Sequence, residues 1–155
     1  MRLFYILTLS LSLLFTSTVE AQISFNSPST VYQQDFNSLP ASGTANPFTL
    51  EGWSANRTEI RAGNGGANAG AFYSYGATDD TERALGSLTS IAQNFIVFGF
   101  ELQNNTGSGI SQVNVAFRGE LWRLGNRNIA GVAVPDTLYF DYSTTATSID
   151  DSTAE

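Results

Sequence analysis

The sequence predicts an all-β protein, an antiparallel two-sheet β-sandwich of jelly-roll type, and three observations lead there. From residue 22 onward the chain carries about nine short apolar or alternating runs at close spacing, the two-residue periodicity of strands. Between them lie turns rich in Gly, Asn, Ser and Pro, residues that reach positive φ or hydrogen-bond their own backbone. No stretch after residue 21 carries the 3.6-residue period of an amphipathic helix, so apolar sheet faces have only one another to cover them.

The first segment stands apart from that fold. Arg2 precedes an apolar run from Leu3 to Phe15, and Val19-Glu20-Ala21 follows, the charged start, apolar core and small-residue cleavage site of a secretory signal peptide. The run is shorter than the roughly 20 residues that span a bilayer, which favours cleavage over a retained anchor. Residues 1–21 are therefore expected to be a signal peptide, 22–147 one β-sandwich domain and 148–155 an acidic tail. The mature protein is expected outside the cell or on its surface, with no stable membrane span.

In chain order, Ile23 to Phe25 and Val31 to Phe36 read as short strands around an Asn-Ser-Pro-Ser turn. Asn37 to Pro47 reads as a loop, because Pro40 and Pro47 resist regular structure. Phe48 to Trp53 and Arg57 to Arg61 follow as strands, split by a polar corner at Ser54 to Asn56. The glycine-rich stretch from Ala62 to Gly70 lacks the lysine and the following helix that a phosphate-binding loop needs, and reads as a surface loop. Phe72 to Gly76 and Arg83 to Leu88 are strand-like, joined through the acidic turn Thr78 to Glu82.

The centre of the prediction is a hairpin from Asn94 to Gly125. Phe95 to Leu102 is apolar on nearly both faces, as a strand in the middle of a sheet would be. Val113, Val115 and Phe117 alternate with Asn114, Ala116 and Arg118, the signature of a half-buried strand. The turn Asn104 to Gly109 tolerates positive φ and would join the two antiparallel. A last strand is expected over Thr137 to Ser143, where Leu138, Phe140 and Tyr142 alternate with Tyr139 and Asp141.

Composition narrows the chemistry. The chain contains neither histidine nor cysteine, which removes the Ser-His-Asp triad, thiol nucleophiles, disulfides and imidazole or thiolate zinc sites. Its net charge is −7, which argues against nucleic acid or an anionic membrane as partner. Four constellations remain. Tyr73 and Tyr75 share one strand face beside the glycine-rich loop and form a candidate platform for a sugar ring; the aromatic pool also holds Trp53, Trp122, Tyr139 and Tyr142, of which the tryptophans suit a core. Asp79, Asp80 and Glu82 offer hard oxygen ligands for a structural calcium ion, although their spacing is not that of a twelve-residue EF-hand loop and a solvated acidic turn is the other reading. Glu101 and Glu120 are a candidate carboxylate pair for glycoside hydrolysis. Against that, Glu120, Trp122 and Arg123 read as a structural network, in which Glu120 and Arg123 form an ion pair or bond to backbone across a bulge at Gly119, with the indole over it. The sequons at Asn56 and Asn104 mark surface turns.

A set of segments in fixed order, Tyr32 to Pro40, Gly52-Trp53, Tyr73 to Gly76, Arg83 to Leu88, Asn104 to Gly107, Gly119 to Arg123 and Phe140 to Ser143, resembles a family of bacterial secreted β-sandwich modules. These are mostly uncharacterised. They stand at the front of exported multidomain proteins, some with C-terminal sorting signals and some with nuclease or lamin-tail-like domains. The resemblance implies a fold and an extracellular address more than an activity. It also implies a further tryptophan-bearing segment and a last strand after the acidic linker, so the domain looks interrupted over 148–155. The expected function is a non-catalytic accessory or surface module that binds carbohydrate, not an enzyme. A purely structural spacer or pack-on domain for a downstream enzyme is the alternative, and a carboxylate-based hydrolase a third.

Overall fold

The computed structural model describes residues 22–90, 92–93, 95–124, 128–129, 132–133 and 137–149. The expected signal peptide and most of the acidic tail lie outside these residues. In chain order the strands are β1 (Ile23–Phe25), β2 (Asn46–Pro47), β3 (Trp53–Ala55), β4 (Glu59–Gly63), β5 (Ala71–Tyr75), β6 (Ala84–Leu88), β7 (Phe98–Phe100), β8 (Leu102–Asn104), β9 (Asn128–Ile129) and β10 (Val132–Ala133). Among the described residues there is no helix, and none long and apolar enough to cross a membrane. The protein is all-β, as its periodicity requires.

Alternation on β4 and β5 decides where the core sits. Ile60 and Phe72 point to one face and are almost fully buried there with Leu39; Phe36, Phe48, Leu50, Leu85, Ile96 and Phe98 close around them. The rings meet edge-on or tilted, Phe48 to Phe72 at 4.9 Å and Phe72 to Phe98 at 5.3 Å, the arrangement that opposes positive ring edges to negative faces. A second aromatic group continues the packing: Trp53 touches Phe36 at 5.0 Å and Phe100 at 4.9 Å, and its indole N–H donates to the Tyr32 hydroxyl at 2.8 Å. Phe36 reaches that contact with φ of 62°, a left-handed conformation that a bulky side chain adopts only under constraint from its surroundings.

Strand directions depart from the purely antiparallel expectation. The largest sheet runs β2-β4-β5-β6, and within it β4 and β5 are parallel, with Arg61 opposite Tyr73 and Gly63 opposite Tyr75. A parallel pair needs a connection that returns the length of a strand. Residues 64–70 supply it: seven residues reach roughly 24 Å at full extension, enough to retrace a five-residue strand of about 17 Å. The glycine-rich stretch is the largely exposed loop expected, and it serves as a crossover link. Pro47 is accommodated because β2 is the sheet's outermost strand, where a missing N–H costs no ladder bond.

The expected central hairpin does not form. Phe98–Phe100 pairs antiparallel with Trp53–Ala55, while Leu102–Asn104 pairs parallel with Ile23–Phe25. Between them Glu101 accepts from Ile23 N–H at 2.9 Å and donates its own N–H to Gly52 at 3.4 Å. Each half of the run thus has one partner in a two-stranded sheet, and not the mid-sheet position that its two apolar faces predict, and both partners come from far earlier in the chain. The turn after it takes its expected chemistry: Asn104 and Thr106 bond Ser108 O, and Gly107 has φ of 75°. Yet residues 109–124 and 137–143 belong to no strand, and Gly119 carries no bulge. Val31 to Phe36 is likewise irregular, and the expected corner at Ser54 is strand. Asn56, read as a surface turn, is half-buried: its side chain accepts from Val97 N–H at 3.0 Å and donates to Phe95 O at 3.4 Å, prolonging the β3–β7 pairing. At the start of the acidic tail Ile149 packs on Gly99.

Candidate functional site

The face of the main sheet opposite the core is where the expected tyrosine platform falls. Tyr73 and Tyr75, two residues apart on β5, stack with 4.7 Å between ring centroids and 13° between planes. Glycines on the flanking strands make this possible. A Cβ at Gly63 would stand 3.0 Å from the Tyr73 ring, and one at Gly86 3.0 Å from the Tyr75 ring, tighter than most Cβ contacts, so a side chain at either position would press the ring to shift.

The platform is nevertheless covered. Tyr73 is 1% exposed and Tyr75 6%, which corrects the expectation of an open surface for a sugar ring. The Tyr73 hydroxyl donates to Ala69 O at 2.8 Å, under the crossover link. Trp122 lies on Tyr75 at 6.0 Å with 5° between planes. Beside it the Arg123 guanidinium donates to Gly65 O at 3.0 Å and to Asn68 Oδ1. Gly65, at φ of 83°, passes so close under Trp122 that a Cβ there would collide with the Trp122 carbonyl. Burial pushes the Tyr75 phenol up to about 12, helped by Tyr73 and partly opposed by Arg123.

The expected Glu120–Arg123 ion pair is not made. Glu120 pairs with Arg118, Nε to Oε1 at 3.5 Å, and accepts the Trp122 indole N–H at 3.0 Å. Arg123 turns to the crossover link instead. Trp122 is half-buried on the tyrosine stack and not in the main core. Glu101 is exposed and bonded by Gln22 Nε2. Nothing in these surroundings gives either glutamate the desolvated pocket that sets a catalytic acid apart.

In the acidic turn Asp79 takes φ of 63° and Asp80 Oδ1 accepts the Glu82 N–H at 3.0 Å. No group of three acidic side chains converges among the described residues. The turn faces a buried cation that sequence reasoning did not single out: Arg83, 2% exposed, whose Nε donates to Ser74 Oγ at 2.9 Å and whose Nη2 donates to Ser74 O. Ser74 Oγ in turn donates to Pro40 O at 2.8 Å. Burial lowers the Arg83 pKa, while Glu82 and Asp80 act to raise it.

Two clefts flank β2. The larger, of about 540 Å³, has Gln34, Ser38, Asn46, Thr49 and Glu51 around Leu39 and Leu50. A smaller one, of about 210 Å³, is lined by Arg57, Glu59 and Arg61 with Thr44, Thr58 and Gln93. Both offer hydrogen-bond donors and acceptors beside apolar side chains.

Compared with protein-family models, curated proteins and solved structures, the chain matches none.

Proposed function

We propose that this chain is a secreted, non-catalytic module with a jelly-roll-like β-sandwich arrangement, working as the accessory or surface part of an exported protein by packing against an adjoining domain's apolar sheet face. One observation carries the reading. Val113, Val115 and Phe117 on one segment and Leu138, Phe140 and Tyr142 on another leave their side chains exposed, and Phe117 stacks on Phe140 at 6.0 Å. Three of the six are aromatic, and an aromatic side chain buries about 150–250 Å² when fully covered, so the patch can supply a substantial part of the roughly 800 Å² per partner of a stable interface. A patch of that kind marks a contact surface. The double substitution Phe117→Ser with Phe140→Ser tests it: stability within about 0.5 kcal/mol of the parent, as for surface positions, together with weaker binding of an apolar dye, is expected. Loss of cooperative unfolding would place these rings in the module's own core and sink the reading.

Carbohydrate binding is the second reading, favoured by the two clefts at β2. Amides, hydroxyls and carboxylates rim an apolar floor in the larger one, the mixture that grips sugar hydroxyls while covering the ring's C–H face. Titration with neutral and acidic oligosaccharides checks it, and no heat with any of them would remove it.

A further inference from the structure

On β4 Ile60 enters the core, so alternation turns Glu59 and Arg61 to the other face, and Arg57 lies just before the strand. There they line the cleft of about 210 Å³, closed by Thr44, Thr58, Gln93 and the start of β5. The volume is below the ~300 Å³ lower bound of drug-sized pockets and suits a single ring.

Its two arginines differ in a way that bears on a ligand. Arg57 is fixed in place: Nε donates to Gln93 Oε1 at 2.9 Å, Nη1 to Asn56 O at 2.7 Å and Nη2 to Phe95 O at 2.8 Å. A guanidinium has five N–H donors, so two of Arg57's remain. Because Gln93 accepts through Oε1, its NH₂ is left to donate elsewhere. Arg61 is half-buried and has neither a hydrogen bond nor an ion pair among the described residues. An unpaired guanidinium next to a braced one presents the fork that carboxylates fit with two parallel bonds.

We propose that this cleft binds one carboxylate-bearing sugar residue of an acidic polysaccharide, a hexuronate. Arg61, with Arg57 behind it, takes the carboxylate. Glu59 accepts from ring hydroxyls, and Thr44, Thr58 and the Gln93 amide complete the set. Glu59 and the chain's net charge of −7 repel a phosphate dianion more strongly than a singly charged carboxylate. A single carboxylate among hydroxyls meets both constraints.

The site rests on the carbohydrate reading and is independent of the Phe117–Phe140 surface. Calorimetric titration of the full chain with trimers of galacturonate, mannuronate and guluronate, each alongside its methyl ester, tests it. The ester keeps every hydroxyl and loses the charge. One of the acids is expected to bind at least about tenfold more tightly than its ester. Arg61→Ala should remove that preference with the melting temperature unchanged, because Arg61 holds nothing else in place, and Arg61→Lys should restore part of it, since an ammonium keeps the charge without the fork. Equal affinity for acid and ester, or an Arg61→Ala variant that binds as the parent does, overturns the inference and leaves carbohydrate binding standing. Absence of binding to every trimer and ester overturns the inference, and removes the carbohydrate reading too if the neutral oligosaccharides also give no heat.

Discussion

The indole of Trp122 lies nearly parallel to the ring of Tyr75, 6.0 Å from it, and completes a three-ring stack that begins at Tyr73. This contact fastens a segment without strand structure to the outer face of the main sheet. It converts what would be an open aromatic platform into a covered one.

Removing the cover should expose what lies beneath. Trp122→Ala deletes the stacking ring and its bond to Glu120. A fully buried aromatic truncated to alanine costs about 3–5 kcal/mol, and Trp122 is half-buried, so a loss of about 1–3 kcal/mol is expected. The Tyr75 phenol should then ionise closer to its ordinary value of 10.0. Denaturant melts and absorbance titration near 295 nm read the two effects, and a variant that matches the parent in both would show that Trp122 does not cover the stack.

Alkaline stability follows from the same phenol. Its folded pKa is raised to about 12 from 10.0, so between those values the folded state keeps a proton that the unfolded state has lost. Stability is then fully present below pH 10 and declines as pH rises toward 12, because it falls wherever the unfolded state binds fewer protons. Melts at pH 9, 10 and 11 should show a plateau and then a fall. Arg123→Ala, which removes the charge that favours the phenolate, should push the phenol higher still.

Gly65 and Gly107 separate two reasons for glycine. Both have positive φ, 83° and 75°. Gly107 has nothing within reach of an added Cβ, whereas Gly65 lies under the Trp122 carbonyl. Gly107→Ala should therefore cost only the left-handed backbone penalty of about 1–2 kcal/mol. Gly65→Ala must in addition displace the Trp122–Arg123 segment, and is expected to cost more than Gly107→Ala while shifting the Tyr75 titration downward. Equal losses with no change in titration would mean that the crossover link is not pinned by Trp122.

What the sequence could say about this architecture ends where pairing becomes long-range. Ile23 to Phe25 and Phe72 to Tyr75 declare themselves through β-branched and aromatic content, and Leu85 to Leu88 through its apolar run between turns; all three are strands. That Phe98 to Asn104 divides its partners between residues 53–55 and 23–25 is invisible to a periodicity argument, which sees faces and not neighbours. The parallel β4–β5 pair was hidden for a related reason: composition marks residues 64–70 as a loop but does not give the direction of the strand it feeds. Alternation at Val113 to Phe117 and Leu138 to Tyr142 predicts two strands, whereas neither segment belongs to a strand and the apolar side chains are exposed. Of the candidate site, the shared face of Tyr73 and Tyr75 was legible and its burial was not, because the cover comes from residues about fifty positions away. Arg57, Glu59 and Arg61 did carry a signal, a charged residue at every second position around buried Ile60, which an emphasis on carboxylates and tyrosines passed over.

Ser74 on β5 and Arg83 just before β6 form a buried polar unit. Ser74 Oγ accepts from Arg83 Nε and donates to Pro40 O, tying the sheet to the loop that places Leu39 in the core. Ser74→Ala would leave the Pro40 carbonyl without its donor and one guanidinium N–H without an acceptor, which costs about 1–3 kcal/mol when the groups stay buried. Arg83→Met would remove a cation whose burial already lowers its pKa, but would strip Ser74 of the same partner. The two losses describe one interaction. The double variant should therefore be destabilised by less than the sum of the singles, with a coupling of about 1 kcal/mol or more, as is usual for residues in one hydrogen-bond network. Additive losses in a urea-melt cycle would show that Ser74 and Arg83 act separately, and that the loop at Pro40 is held by its apolar contacts alone.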